Sequence, residues 1–175
     1  MVNGLVEHAR QPERPVPPVD VERARAVASQ VPDPEVPVLT VADLGILRDV
    51  AVDGGRVRVT ITPTYSGCPA VGTIREDITT RLAEAGYRDV EVVTTLSPAW
   101  TTDWMSEDGR RKLAEYGIAP PQRRPGGPVA LTLSLRCPHC GSPRTRELNR
   151  FGSTACKSLW VCGDCAEPFD HFKDH

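Results

Sequence analysis

No stretch of the 175-residue chain approaches the ~20 consecutive apolar residues that a bilayer crossing needs. The N-terminus, MVNGLVEHARQPERPVPPVD, lacks the apolar core of a secretory signal. There is no basic run, and the formal charge is -2, so no general attraction to nucleic acid is expected. A Gly-rich nucleotide loop is absent. So is a Glu-x-x-His pair on a helical run, which argues against a bundle-type diiron centre. These absences point to a cytoplasmic protein acting on neither membrane nor nucleic acid. In that compartment thiols stay reduced, so six cysteines, four of them in tight pairs, imply metal or thiol chemistry rather than disulfides.

Proline, by contrast, is abundant at 17 residues, and its clusters mark the joints of the chain. Residues 1–18 read as a disordered Pro-rich lead-in and 119–128, APPQRRPGGP, as a linker. Between them, residues 19–118 have the pattern of one small domain, and 129–175 that of a second module. Asp20 is placed to cap a short helix through Val21, Ala24, Val27 and Ala28, ahead of a Pro-rich loop at 31–40. Ile46 to Val52 and Arg56 to Thr62 read as strands joined at Asp53-Gly54-Gly55, with Val57, Val59 and Ile61 on one face. A helix is expected from near Pro69, through Ile74, Ile78 and Leu82 to a stop at Gly86. A strand over Val90 to Leu96 and a helix from Ser106 to Tyr116 complete the domain.

Cys137-Pro-His-Cys140 and Cys162-Gly-Asp-Cys165 are two knuckles, 21 residues apart, whose four thiolates suit a tetrahedral metal. Gly141 and Gly163 are expected to supply positive-φ backbone. Zinc is the first expectation, with a rubredoxin-type iron or an iron–sulfur cluster as the alternative; a four-thiolate zinc site has no open position and would be structural. So small a module needs its metal to fold. His139, His171 and His175 read as surface residues rather than ligands. Cys156, the fifth cysteine of the module, is either a packed thiol or a second functional thiol.

Cys68 stands alone before Pro69, at a helix start where unpaired N–H groups and the helix dipole favour thiolate. Such a group can ligate iron, accept a persulfide or act as a nucleophile; it can equally be a buried structural thiol. No histidine lies at a meaningful spacing to serve as its base. Asp33 and Glu35 would approach it if the Pro-rich loop folds over the helix start.

The segments DPEVPVLTVADLGILRDV and TPTYSGCPA, in this order around a hairpin, resemble the SufT-type iron–sulfur assembly family over about residues 20 to 118. SPAWTTDWMSEDGRRKLAEYGIAPP, followed by a ribbon carrying FGSTACKSLWVC and CAEPFDHFK, resembles the PaaD family, accessory proteins of the phenylacetyl-CoA epoxidase (ring 1,2-epoxidase) system. The resemblance implies an α+β architecture: a small SufT-type domain of helices on a short mixed sheet, then a four-cysteine zinc ribbon. It implies an accessory factor in iron–sulfur maturation or assembly of the epoxidase, not catalytic alone. Its partners would be the oxygenase and reductase components and the iron–sulfur assembly machinery, and its cofactors structural zinc and transient iron or an iron–sulfur cluster. Cys68 becomes the candidate cluster, iron or persulfide residue, with Asp33, Glu35 and Thr64 nearby. The family's tail often reads FKC, whereas here Phe172-Lys173 is followed by Asp174-His175, so a tail thiol is not available.

Three other readings compete. An adaptor role within the oxygenase complex would leave Cys68 inert and use Trp100 and Trp104 as interface anchors or as core. A Cys68 enzyme lacks a base. Nucleic-acid binding would use Arg144, Arg146 and Arg150, which Glu167, Asp170 and Asp174 oppose. An exposed edge strand in so small a domain makes a homodimer the base-rate expectation.

Overall fold

The computed structural model describes residues 20–53, 55–122 and 135–174. The lead-in, most of the linker, the start of the ribbon and His175 lie outside them. Helix α1, Val21–Ser29, begins where the Asp20 carboxylate accepts the N–H of Glu22 at 2.9 Å, and it buries Ala24 and Ala28. Strands β1, Leu47–Asp53, and β2, Arg56–Ile61, form the expected antiparallel hairpin, with Val57, Val59 and Ile61 fully buried. Helix α2, Ala70–Glu84, covers the sheet with Ile74, Ile78 and Leu82, and returns the chain to β3, Val90–Thr94, parallel to β2. The sheet order is therefore β1-β2-β3. Helix α3, Glu107–Glu115, starts at Ser106, whose hydroxyl accepts the Gly109 N–H at 2.9 Å.

A second sheet lies in the C-terminal part: β5, Thr145–Asn149, β6, Lys157–Cys162, and β7, Pro168–Phe172, run antiparallel. Its fourth strand comes from the junction of the first domain and the linker, at residues 118 and 119. β4, Ile118–Ala119, pairs in parallel with β7, giving the order β4-β7-β6-β5. The chain is α+β, with the two parts sharing side chains as well as a sheet. Phe172 and Cys156 are buried in the same apolar cluster as Val36, Leu39, Ile61 and Ile74. Phe172 stands 6.3 Å from Trp100, ring centre to ring centre.

The segment Asp43-Leu44-Gly45 is a structural knot. The Asp43 carboxylate accepts the Thr40 N–H (2.9 Å) and hydroxyl (3.0 Å), the Ser106 hydroxyl (3.2 Å) and the Lys112 ammonium (2.8 Å), tying the loop to both ends of α3. The Leu44 carbonyl accepts the Trp100 indole N–H at 2.9 Å. Gly45, at φ +69, passes against the backbone of Trp104, and Arg48 lies 3.5 Å above the Trp104 ring. Both tryptophans are thus engaged within the molecule.

Burial raises the Asp43 carboxyl pKa, but Lys112 and the Thr40 donors outweigh burial and hold it below its ordinary value. A depressed carboxylate contributes stability that is present above its unfolded pKa, about 3.9. That contribution is lost as pH falls through the lower folded value. Asp43→Asn is therefore expected to lose about 2 kcal/mol at pH 7, the scale of hydrogen bonds to a charged group. Its thermal midpoint should then fall less steeply than the wild type's between pH 5 and pH 2. Parallel curves would show that Asp43 carries none of the acid sensitivity.

Candidate functional site

Two centres lie in the described residues. In the ribbon, the Sγ atoms of Cys137, Cys140, Cys162 and Cys165 all lie within 4.8 Å of one another. Cys137–Cys165 and Cys140–Cys162 are 3.8 and 3.6 Å apart. Tetrahedral thiolates about 2.3 Å from a metal would be separated by about 3.8 Å, so the four residues fit one ion. The knuckle backbones hold them there. The Gly141 N–H donates to the Cys137 carbonyl at 2.8 Å, and the Asp164 N–H donates to the Cys162 sulfur at 3.3 Å. Gly141 takes the expected left-handed conformation at φ +74, but in the second knuckle that role falls to Ala166 at φ 60. Gly163 is required instead for closeness, since a Cβ there would lie 3.1 Å from the Arg144 carbonyl oxygen. His139 is exposed, as expected. His171, expected at the surface, is buried, its ring edge-on to Trp160 and its Nδ1 3.4 Å from the Ser158 hydroxyl. Strand β7 faces that side chain inward, and it stands apart from the four sulfurs.

The second centre forms where the Pro-rich loop, the start of α2 and the turn before β6 meet. Cys68 closes a tight turn, its N–H donating to the Tyr65 carbonyl at 3.2 Å, and its half-buried sulfur faces the N–H groups of Ala70 and Val71. Asp33 is buried; one oxygen accepts the N–H groups of Glu35 (2.9 Å) and Val36 (2.8 Å), which shapes the loop. Glu35 receives the thiol of Cys156 at 3.6 Å, and the Thr154 hydroxyl lies 3.0 Å from the same sulfur. The loop does fold over the helix start. Thr64 is buried and lines a cavity of about 300 Å³ with Thr62, Tyr65 and Trp100.

The electrostatics reverse one expectation. Burial pushes the Cys68 thiol up, and the charges of Glu35 and Asp33 add to it, outweighing the helix N–H groups that were expected to favour thiolate. Burial likewise raises Asp33 and, with Glu35 and Asp33 adding, takes Cys156 up to about 11. The Tyr65 phenol is raised by burial and by Cys68, Glu35 and Cys156. Lys157, itself buried, is the opposing charge felt by Asp33 and Cys156. Sequence reasoning missed Tyr65 and Lys157. The signal for Tyr65 was its place three residues before Cys68; Lys157 had none beyond adjacency to Cys156. No helix of the described residues is long and apolar enough to cross a membrane.

Residues 22–94 match the family model described as iron-sulfur cluster assembly protein, and residues 123–173 the one described as PaaD zinc beta ribbon domain. Over 162 residues the chain is 49% identical to an Escherichia coli protein provisionally named as a subunit of 1,2-phenylacetyl-CoA epoxidase, covering 90% of this chain and 95% of that one. It is 40% identical over 83 residues to an Fe-S protein maturation auxiliary factor of Porphyromonas gingivalis, covering 46% of this chain and 78% of that one. Among solved structures, a domain of unknown function from Bacillus anthracis superposes with a TM-score of 0.50 at 28% identity, covering 53% of this chain and 90% of that domain.

Proposed function

The chain belongs to the PaaD family, and from that premise we propose that it is an accessory factor that loads iron or an iron–sulfur cluster into the multicomponent phenylacetyl-CoA epoxidase, with Cys68 as the cargo-handling residue. The carrying observation is the placement of Cys68. It is a half-buried thiol at a helix start, on the part of the chain that matches the iron–sulfur assembly family, with two acidic residues of the neighbouring loop beside it. A transfer residue must accept its cargo and release it. A thiol whose proton is held until a cation arrives, and which stays within reach of solvent, meets both needs.

The ribbon has the complementary role. Its four cysteines would hold zinc, which there supplies a fixed tetrahedral anchor and no reactive position. The ribbon thereby presents β5 and β6 and keeps Phe172 in the shared core, ready to dock a client. The adaptor reading loses its proposed anchors, because Trp100 is buried and Trp104 lies under Arg48.

The test is co-expression of wild type or Cys68→Ala with the oxygenase and reductase components, followed by iron and acid-labile sulfide analysis of the purified reductase. A several-fold cluster deficit with the ribbon's zinc retained is expected. A fully loaded reductase from the variant strain would defeat the proposal and favour a structural role.

A further inference from the structure

Strand β3 is one edge of the first domain's sheet, and its outer side is bare. The Val57 N–H donates to the Asp89 carbonyl at 2.8 Å, and the Thr95 N–H donates to the Ile61 carbonyl at 2.9 Å. Main-chain groups alternate sides along a strand, so Asp89, Glu91, Val93 and Thr95 turn theirs to β2. Val90, Val92 and Thr94 turn theirs away from it. Among the described residues, the N–H and carbonyl groups of these three have no hydrogen-bond partner. They open into a groove of about 1100 Å³ whose other wall is α2, at Gly72, Arg75, Glu76, Thr79 and Thr80.

Soluble proteins usually blunt such an edge with lysine, proline or a bulge. β3, VEVVT, has no lysine or proline, and its register with β2 is unbroken. Every residue but Glu91 is β-branched, and the Glu91 carboxylate is held by Arg58 at 3.1 Å. Such an edge is a template for a further strand, and the groove's symmetry sets which one fits. α2 is the crossover between two parallel strands and so runs opposite to β3. Its wall residues run from 72 to 80 and centre on Glu76, as the strand centres on Val92. A two-fold axis through Val92 sets Val92 against its own counterpart and Val90 against the counterpart of Thr94. In an antiparallel pair these residues exchange hydrogen bonds in both directions, so every outward N–H and carbonyl finds a partner. The same axis brings the exposed Arg75 and Glu76 of two copies together, so that the arginine of each can reach the glutamate of the other. Neither has an ion-pair partner among the described residues. The groove as a whole is of mixed sign, with Arg56, Asp89 and Glu91 at the strand, which suits a second copy better than a peptide of one charge.

We propose that the protein forms a homodimer through β3, which pairs antiparallel with β3 of a second copy and joins the two three-stranded sheets into one. This goes beyond the reading of Cys68 given above and does not depend on it. It has a consequence for that residue all the same. Because the two strands run in opposite directions, the starts of the two α2 helices, each preceded by Cys68, stand toward opposite ends of the joined sheet. Each copy therefore handles its cargo on its own, and no site is shared across the axis.

The experiment is sedimentation equilibrium of the full-length, zinc-loaded protein over a range of concentrations, with amide hydrogen exchange read by NMR at the dilute and concentrated ends. The wild type is expected to dimerise, and the N–H groups of Val90, Val92 and Thr94 to exchange more slowly as it does. Thr94→Pro removes an outward donor at an exposed edge position, where proline is tolerated. It should weaken the dimer by about tenfold or more, because two hydrogen bonds are lost per dimer. Glu76→Arg should weaken it several-fold, and adding Arg75→Glu to that variant should restore it. A wild type that stays monomeric up to about 1 mM, the weak end of measurable affinity, would overturn the inference. So would a dimer indifferent to both Thr94→Pro and Glu76→Arg, which would place the contact on another face. Slow exchange of the three amides already in the monomer would show the edge to be covered from within the chain, and would overturn it as well. Should Thr94→Pro unfold, Glu76→Arg and its reversal decide, and unaltered association in Glu76→Arg overturns the inference.

Discussion

Removing the ribbon's metal with a strong chelator is expected to unfold residues 135–174 and to lower the melting point of the first domain with them. The ribbon's own apolar cluster is small: Ala119, Cys137, Cys162 and Phe169, with Trp160 and Cys165 packed against it. Two of its four buried members, Cys137 and Cys162, belong to the four-cysteine group that could hold a metal, so the cluster has little cohesion once those sulfurs are released. Structural zinc in modules of this size contributes apparent binding free energies of about 10–16 kcal/mol at pH 7, which is far more than such a core supplies. The effect should spread, because Phe172 would leave the main core along with β7. Deleting a buried phenylalanine costs about 3–5 kcal/mol, and each kcal/mol shifts the melting point of a domain of this size by about 4–8 °C. Cys140→Ser should mimic the chelator. Metal content, limited proteolysis and a thermal melt on the same sample check the prediction. A metal-free protein that melts like the wild type would mean that packing of Phe172, not the metal, holds the ribbon.

Gly45→Ala is expected to be the most damaging single-carbon addition in the first domain, at about 3 kcal/mol or more. Two costs add. The backbone there has φ +69, which a residue with a Cβ adopts only with strain. The new Cβ would also lie 2.5 Å from the Trp104 carbonyl oxygen and 2.9 Å from its carbonyl carbon, backbone atoms that cannot rotate away. Relief requires the 102–104 turn to move. That movement would disturb the Trp100–Leu44 hydrogen bond and the stacking of Arg48 on Trp104. A denaturant titration should show a lower midpoint at unchanged slope. A loss under about 1 kcal/mol would mean the turn yields more freely than its packing suggests.

What could be read beforehand followed the range over which the physics acts. The knuckle cysteines lie three apart, and the faces of α2 and β2 repeat within a few residues, so local pattern was enough to place them. The antiparallel pairing of β1 with β2 was legible for the same reason. The Cys156–Glu35 contact spans 121 positions, and no local pattern encodes it. The protonation of Cys68 went the other way from expectation because the helix-start argument counts only its own helix. The loop carrying Asp33 and Glu35 decides the balance, and it arrives by tertiary folding. β4 is two residues long, too short for any periodicity to announce, and it was assigned by position to the end of the first domain and the start of the linker. Ala166, the residue after Cys165, carries the left-handed turn at φ 60, where sequence rules look for a glycine.

The pairing of β4 with β7 also bears on how this chain can change over evolutionary time. A ribbon acquired as a detachable cassette would carry its whole sheet with it. Here one edge of that sheet is written into residues 118 and 119, at the end of the first domain and the start of the linker. Any recombination breakpoint within the linker would therefore strip β7 of its neighbour, leaving unpaired backbone groups beside the buried Phe169 and inviting edge-to-edge association with other chains. Exchange of the second part alone would therefore cost that pairing as well as the core contacts of Phe172 and Cys156.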